Sequence, residues 1–197
     1  EEFRRVVDVN LTGEYIMARS AAKHMVRKKI HGSIINMASM SGTIVNIPQW
    51  QASYNASKAG VIHLTKSLAL EWIPYGIRVN SLSPGYISTP MSVDTPQELK
   101  DAWKGMMPYG RMGTPEELIG AVLYLAGDSS AYTTGTDLIV DGVFTFRPNK
   151  YFPQSFVRTL FSCLFFHSPA NNITLKERRL NFEDTEQLRR KMEGVSV

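Results

Sequence analysis

The run Ser33-Ile34-Ile35-Asn36-Met37-Ala38 is short and apolar, with Gly32 before it and the small-residue turn Ser39-Met40-Ser41-Gly42 after it. That pattern reads as a buried strand ending in a turn. Upstream, Phe3, Val6, Val7, Leu11, Ala18, Ala22 and Met25 recur at helical spacing, and Arg27-Lys28-Lys29 suits the negative end of a helix dipole. Residues 2–29 therefore read as one long amphipathic helix. Downstream, Ser53 to about Trp72 again carries helical spacing and is stopped by Pro74 and Gly76, after which Ile77-Arg78-Val79-Asn80-Ser81-Leu82 is a second strand closed by Pro84-Gly85. Residues 86–113, punctuated by Pro and Gly, read as a long functional loop with a short helix near 96–104. Thr114-Pro115-Glu116-Glu117 combines an N-cap, an N1 proline and a capping-box glutamate, which starts a helix running to about Ala126. Thr136-Asp137-Leu138-Ile139-Val140-Asp141 closes the pattern as a third strand.

Helices alternating with strands call for right-handed crossovers and a parallel sheet covered on both faces. Three strands make such a doubly wound sheet incomplete. No segment matches G-x-G-x-x-G or another glycine turn that cradles phosphate, although sheets of this kind hold their nucleotide at the first strand-to-helix turn. The expectation is that a phosphate-binding half lies upstream of Glu1.

Composition narrows the function classes. The chain has 197 residues, 43% hydrophobic and 20% charged, enough for one core plus an appendage and unlike a disordered or fibrous chain. Residues 1–145 carry 13 Lys/Arg and 13 Asp/Glu, so the net charge of +4 belongs to residues 146–197. A neutral globular part without a basic stripe argues against a nucleic-acid partner. Cys163 alone builds no intrachain disulfide, His24, His31, His63 and His167 are scattered, and no metal site is expected. With no signal-peptide layout and no apolar run of membrane length, the expected location is the cytoplasm.

Tyr54 and Lys58 stand four apart on the second helix, on one face. An ammonium beside a phenol favours phenolate and prepares a general acid/base. The pair alone also fits a surface tyrosine and a solvated lysine. Its company weighs against that: Ser39 closes a strand at its carboxyl end, where open α/β sheets place ligands, and Asn10 lies on the apolar stripe of the first helix, where it needs a polar partner.

These residues, with Val9-Asn10-Leu11-Thr12-Gly13, Ile35-Asn36-Met37-Ala38-Ser39, Tyr54-Asn55-Ala56-Ser57-Lys58 and the run from Arg78 to Thr89, resemble the C-terminal part of the short-chain dehydrogenase/reductase family over residues 1 to about 142. The resemblance implies a Rossmann-like sheet and hydride transfer between a nicotinamide and a ketone or secondary alcohol. It implies that Tyr54 moves the proton, Lys58 lowers its pKa and holds the nicotinamide ribose, Ser39 binds the carbonyl, and Asn10 positions a relay water. Pro84, Gly85, Ile87 and Thr89 would border the nicotinamide, Ile87 through its backbone and Thr89 through its side chain. The step from Ser39 to Tyr54 is most similar to the fungal sorbose reductase and mannitol dehydrogenase branch, which implies a ketose or polyol substrate and NADP, with NAD left open. Asn46, Gln49, Gln51 and Tyr86 then become candidate substrate contacts. The resemblance also implies a homo-oligomer through helices 2–29 and 53–72, and a non-catalytic interaction fragment is the alternative function.

The tail departs from the family. Where the family runs Asp-Gly-Gly and stops, this chain has Asp141-Gly142-Val143 and continues as a basic, partly apolar extension, residues 146–197. Phe156, Leu160, Phe161, Leu164 and Phe165 could line an amphipathic helix and Arg178, Arg179, Arg189 and Arg190 could meet an anionic membrane. The stronger reading is non-family sequence, disordered or partly helical, without a membrane role.

Overall fold

The computed structural model describes residues 1–146 apart from Asp94, so the sequence readings of 147–197 lie outside the described residues. The chain opens with α1 (Glu2–Val7), a π-helical turn (Asp8–Thr12) and α2 (Gly13–Lys28), which follow one another without a break. The single regular helix expected over 2–29 is thus corrected: it is one helical run widened around Asn10. Lys29 ends it in the left-handed region at φ 56°, its N–H closing back on Met25 and Val26. There follow β1 (Gly32–Met37), α3 (Ala52–Trp72), β2 (Ile77–Pro84), α4 (Pro90–Val93), α5 (Gln97–Met106), α6 (Ile119–Ala126) and β3 (Asp137–Val140). The sequence-expected helix from Thr114 begins as a 3-10 turn over Pro115–Leu118 before becoming α6.

The three strands form one parallel sheet in the order β1-β2-β3, with Ile34 opposite Val79 and Leu82 opposite Leu138. Side chains alternate across it. Ile34, Ile77 and Val79 meet Ala18 and Ala22 of α2 and Leu68 and Ala69 of α3 in a buried cluster, and small alanines let the helices come close. On the opposite face Ser33 donates to the Leu125 carbonyl at 2.7 Å, and Leu125 of α6 is fully buried. Arg78 anchors that helix end. It donates to the carbonyls of Leu125 (3.1 Å), Gly127 (3.1 Å) and Thr133 (3.3 Å), placing a cation at a helix C-terminus.

Two contacts place the site. Gly76, at φ +70°, turns the chain from α3 into β2. Gly42 lets the turn after β1 touch the α3 backbone: a Cβ there would lie 2.8 Å from Lys58 C and 2.8 Å from Ala59 N. Gly42→Ala is expected to cost about 1–3 kcal/mol in urea unfolding, because neither backbone can yield without moving the Ser39 turn away from α3.

The α6 cap has a pH signature. The Glu117 carboxylate accepts the Thr114 N–H at 2.8 Å and two Arg111 donors at 2.7 Å. The Arg111 hydrogen bond comes first in holding its pKa down, to about 2 from 4.5. A carboxylate depressed in the folded state stabilises fully above its unfolded pKa, and that contribution fades as pH falls from about 4.5 toward 2. Urea midpoints are expected to drop across that window in the parent and to drop less in Glu117→Gln.

Candidate active site

Tyr54 and Lys58 lie one turn apart on α3, with the Lys58 Nζ 5.8 Å from the centroid of the Tyr54 ring. Lys58 is 9% exposed, and its Nζ donates to the Met37 carbonyl at 2.6 Å. Burial pushes its pKa below the usual lysine value, and the Glu14 carboxylate opposes that shift. An ammonium has three donors. Among the described residues only the Met37 carbonyl takes one, and the remaining donors suit the hydroxyls of a ribose.

The widened turn around Asn10 meets the same helix. Asn10 Nδ2 donates to Ser57 Oγ at 3.1 Å, and Ser57 Oγ donates to the Tyr54 carbonyl at 2.7 Å. The partner that a stripe asparagine needs is therefore a serine inside the Tyr-x-x-x-Lys turn. π turns recur at functional sites, and this one ties the first helical run to the helix that carries Tyr54 and Lys58.

Ser39 follows β1 directly and is 8% exposed. Its Oγ accepts the Ser41 N–H at 3.1 Å as the cap of a 3-10 turn, Met40–Gly42, which leaves its O–H to donate elsewhere. Across the carboxyl ends of the strands, β2 runs out through Pro84 and Gly85. The Tyr86 carbonyl accepts the Gly113 N–H at 3.0 Å and the Ser88 N–H donates to the Gly113 carbonyl at 2.8 Å. Backbone groups alternate in an extended segment, so the Ile87 N–H and C=O face the other way, without a partner among the described residues. That exposes the backbone pair sequence reasoning assigned to a carboxamide. Thr89 caps α4 through its backbone, exchanging hydrogen bonds with Ser92 Oγ at 3.1 and 2.7 Å, and its side chain is not used there.

The amides of the 46–51 segment bond first to one another and to Tyr86. The Tyr86 hydroxyl accepts Gln49 Nε2 at 2.9 Å and Asn46 Nδ2 at 3.3 Å, while Gln49 Oε1 accepts Trp103 Nε1 at 2.9 Å. Gln51 Nε2 reaches Ser41 Oγ, Asn46 Oδ1 and Asn55 Oδ1 at 3.2, 3.1 and 2.8 Å, although its two hydrogens serve two acceptors at a time. Asn46 is 1% exposed. Tyr86 stacks on Trp103 at 4.5 Å between centroids and meets Phe144 edge-on at 5.2 Å. A cleft of about 240 Å³ borders Tyr86 and Ile87 and is lined further by Met107, Tyr109, Gly142 and Phe144, but not by Ser39, Tyr54 or Lys58. Among the described residues no group of His, Cys, Asp and Glu could hold a metal, and no helix is long and apolar enough to cross a membrane.

Comparison with known proteins gives the family. Residues 1–145 match the family model described as enoyl-(acyl carrier protein) reductase, one of the short-chain dehydrogenase/reductase models. The chain belongs to the short-chain dehydrogenase/reductase family. It is 49% identical over 145 residues to the sorbose reductase of Candida albicans, covering 74% of this chain and 51% of that one. It is 48% identical over 147 residues to the NADP-dependent mannitol dehydrogenase of Alternaria alternata, covering 75% and 54%. A short-chain type dehydrogenase/reductase from Mycobacterium marinum superposes with a TM-score of 0.72 at 49% identity, covering 74% of this chain and 57% of that structure. The chain thus spans about half the length of the curated relatives it matches.

The family resemblance nominated Asn10, Ser39, Tyr54, Lys58, Pro84, Gly85, Ile87 and Thr89. Sequence reasoning missed Trp103, Phe144, Ser57 and Asn55, whose links to the site are made only in the fold. Trp103 had one local signal, an aromatic in the apolar stripe Leu99, Trp103 and Met106 of a short amphipathic helix. Tyr86→Phe strands the amides of Asn46 and Gln49 and is expected to cost about 1–3 kcal/mol in urea unfolding, against about 1 kcal/mol for Trp103→Phe, which keeps the stack and loses one hydrogen bond.

Proposed function

We propose that residues 1–145 form the nicotinamide and substrate half of an NADP-dependent reductase that interconverts ketoses such as sorbose, fructose or xylulose with their polyols. The observation that carries this reading is the buried Lys58, held on one helix turn with Tyr54 and packed against the Ser39 turn. When bound, the nicotinamide supplies or accepts the hydride. The chain's own residues handle the oxygen. Tyr54 gives its phenolic proton to the substrate oxygen on reduction, and Lys58 stabilises the phenolate left behind. Ser39 donates its free O–H to the same oxygen, where negative charge builds in the transition state and a placed donor counts most. Asn10 fixes the helix carrying both groups and positions a relay water. Pro84, Gly85, the Ile87 backbone and Thr89 border the nicotinamide. Tyr86, with Asn46, Gln49 and Gln51 behind it, presents hydrogen-bonding groups to a polyhydroxy chain. The names of the relatives support the substrate class and NADP.

A second reading, a non-catalytic interaction fragment, draws on Phe3, Val9 and Met17, which are 58%, 68% and 72% exposed on the first helical run. The same residues suit the homo-oligomer contact proposed for helices 2–29 and 53–72. A chimera separates the two readings: the N-terminal half of the Candida albicans sorbose reductase is fused ahead of Glu1. It is expected to oxidise NADPH with sorbose, fructose or xylulose. Tyr54→Phe should abolish turnover, at least a thousandfold, with nucleotide affinity nearly unchanged, because it removes a proton donor and little binding surface. A folded chimera that binds NADPH and reduces none of the three sugars would favour the interaction fragment.

A further inference from the structure

A chain of hydrogen bonds stands behind the Tyr86 hydroxyl, and its far end is an indole. The Tyr86 ring is fixed on two sides, by Trp103 stacked on it at 4.5 Å between centroids and by Phe144 edge-on at 5.2 Å. The hydroxyl oxygen therefore keeps one place, and only the direction of its proton remains free. Trp103 Nε1 can donate and cannot accept. It donates to Gln49 Oε1 at 2.9 Å, which turns the nitrogen of that amide toward Tyr86, and Gln49 Nε2 donates to the hydroxyl at 2.9 Å. Asn46 forms a second arm: its Oδ1 accepts Gln51 Nε2 at 3.1 Å, and its Nδ2 donates to the hydroxyl at 3.3 Å. The Trp103 arm is the shorter at both of its bonds and starts from a group that cannot reverse its role, so it sets the sense of the chain.

We infer that Trp103 is a positioning residue, whose indole N–H sets the Gln49 amide and thereby leaves the Tyr86 hydroxyl able only to donate to a ligand. This rests on the reading of Tyr86 as a group that meets the substrate. A hydroxyl has two lone pairs and one proton. With both lone pairs taken by amide N–H groups, Tyr86 offers its proton and accepts nothing more, and among the described residues no acceptor takes that proton. Such a group recognises a lone pair on a neutral hydroxyl or carbonyl oxygen. It turns away a group that only donates, such as the ammonium of an aminated sugar, because two donors would face each other. The selectivity of the front of the site thus depends on a helix, α5, that sends its indole to the back of it.

The test is NMR of the full chain with tyrosine labelled at the ζ-carbon and glutamine at the amide nitrogen, Tyr86 and Gln49 assigned by their loss in Tyr86→Phe and Gln49→Glu. In mixed H2O and D2O a hydroxyl proton that meets solvent averages to one ζ-carbon signal, and one held by a protein acceptor gives two. The parent is expected to give one signal for Tyr86. Gln49→Glu keeps an acceptor for the indole and replaces the amide hydrogens by a carboxylate oxygen, so the Tyr86 proton turns inward. Two signals are then expected, with hydroxyl exchange slowed at least about tenfold, as befits a bond to a charged acceptor, and with the Trp103 indole signal retained. Trp103→Phe keeps the stack and releases the amide. The cross-peak from the Gln49 amide hydrogens to the Tyr86 ring is expected to fall to about half as both amide orientations are sampled. An indole that served packing alone would leave both readouts unmoved. Two Tyr86 signals in the parent, one signal in Gln49→Glu, or an undiminished cross-peak in Trp103→Phe overturns the inference. Failure of the sorbose reductase chimera would overturn the ketose reading instead and would not touch these signals.

Discussion

An ammonium that loses most of its water needs oxygen in return, and for Lys58 the end of β1 provides it. The bond from Nζ to the Met37 carbonyl joins the helix of the Tyr54–Lys58 pair to the strand that delivers Ser39 two residues later. Each neighbouring feature serves that joint. Gly42 permits the turn to touch the α3 backbone, Asn10 and Ser57 lock the preceding helical run onto α3, and Glu14 grips Met37 from the other side. The parallel sheet supplies the common end at which these pieces meet, since crossover helices return each strand in the same direction.

The parts of this arrangement legible in the sequence are those encoded within a few residues. A Tyr and a Lys four apart on a helix must share a face, Thr114 with Pro115 and Glu117 must open a helix, and apolar runs bounded by Gly and Pro must be strands. The strands at 33–38, 77–82 and 136–141 are found at Gly32–Met37, Ile77–Pro84 and Asp137–Val140, with differences confined to their ends. The π turn was not legible. Its local sequence is that of an ordinary helix, and its partner Ser57 lies 47 residues away. The same holds for Trp103 and Gln49, 54 residues apart, and for the stack of Trp103 on Tyr86. Contacts of this kind exist only once loop 43–51 and α5 have both been placed by the sheet.

The 46–51 amides show how side chains read one at a time along the chain acquire partners only in the fold. Read along the chain, Asn46, Gln49 and Gln51 are polar groups near the Tyr54–Lys58 pair. Folded, Asn46 and Gln49 saturate the Tyr86 hydroxyl with two N–H donors, Gln51 donates to Asn46 behind them, and Gln49 accepts the Trp103 N–H. With both lone pairs of that oxygen occupied, its remaining function is as a donor. The selectivity proposed for polyhydroxy substrates therefore rests on Tyr86 at the front and on the amides behind it.

The chain is proposed to address the nicotinamide end of the cofactor, and no segment of residues 1–197 reads as a cradle for its pyrophosphate. Calorimetric titration of the chain with NADPH and, separately, with reduced nicotinamide mononucleotide, which lacks the adenosine half, tests that claim most directly. Both are expected to bind alike and no tighter than millimolar, roughly −4 kcal/mol. Micromolar binding of NADPH beside millimolar binding of the half-cofactor would contradict it, because the added affinity would have to come from a phosphate site within the chain.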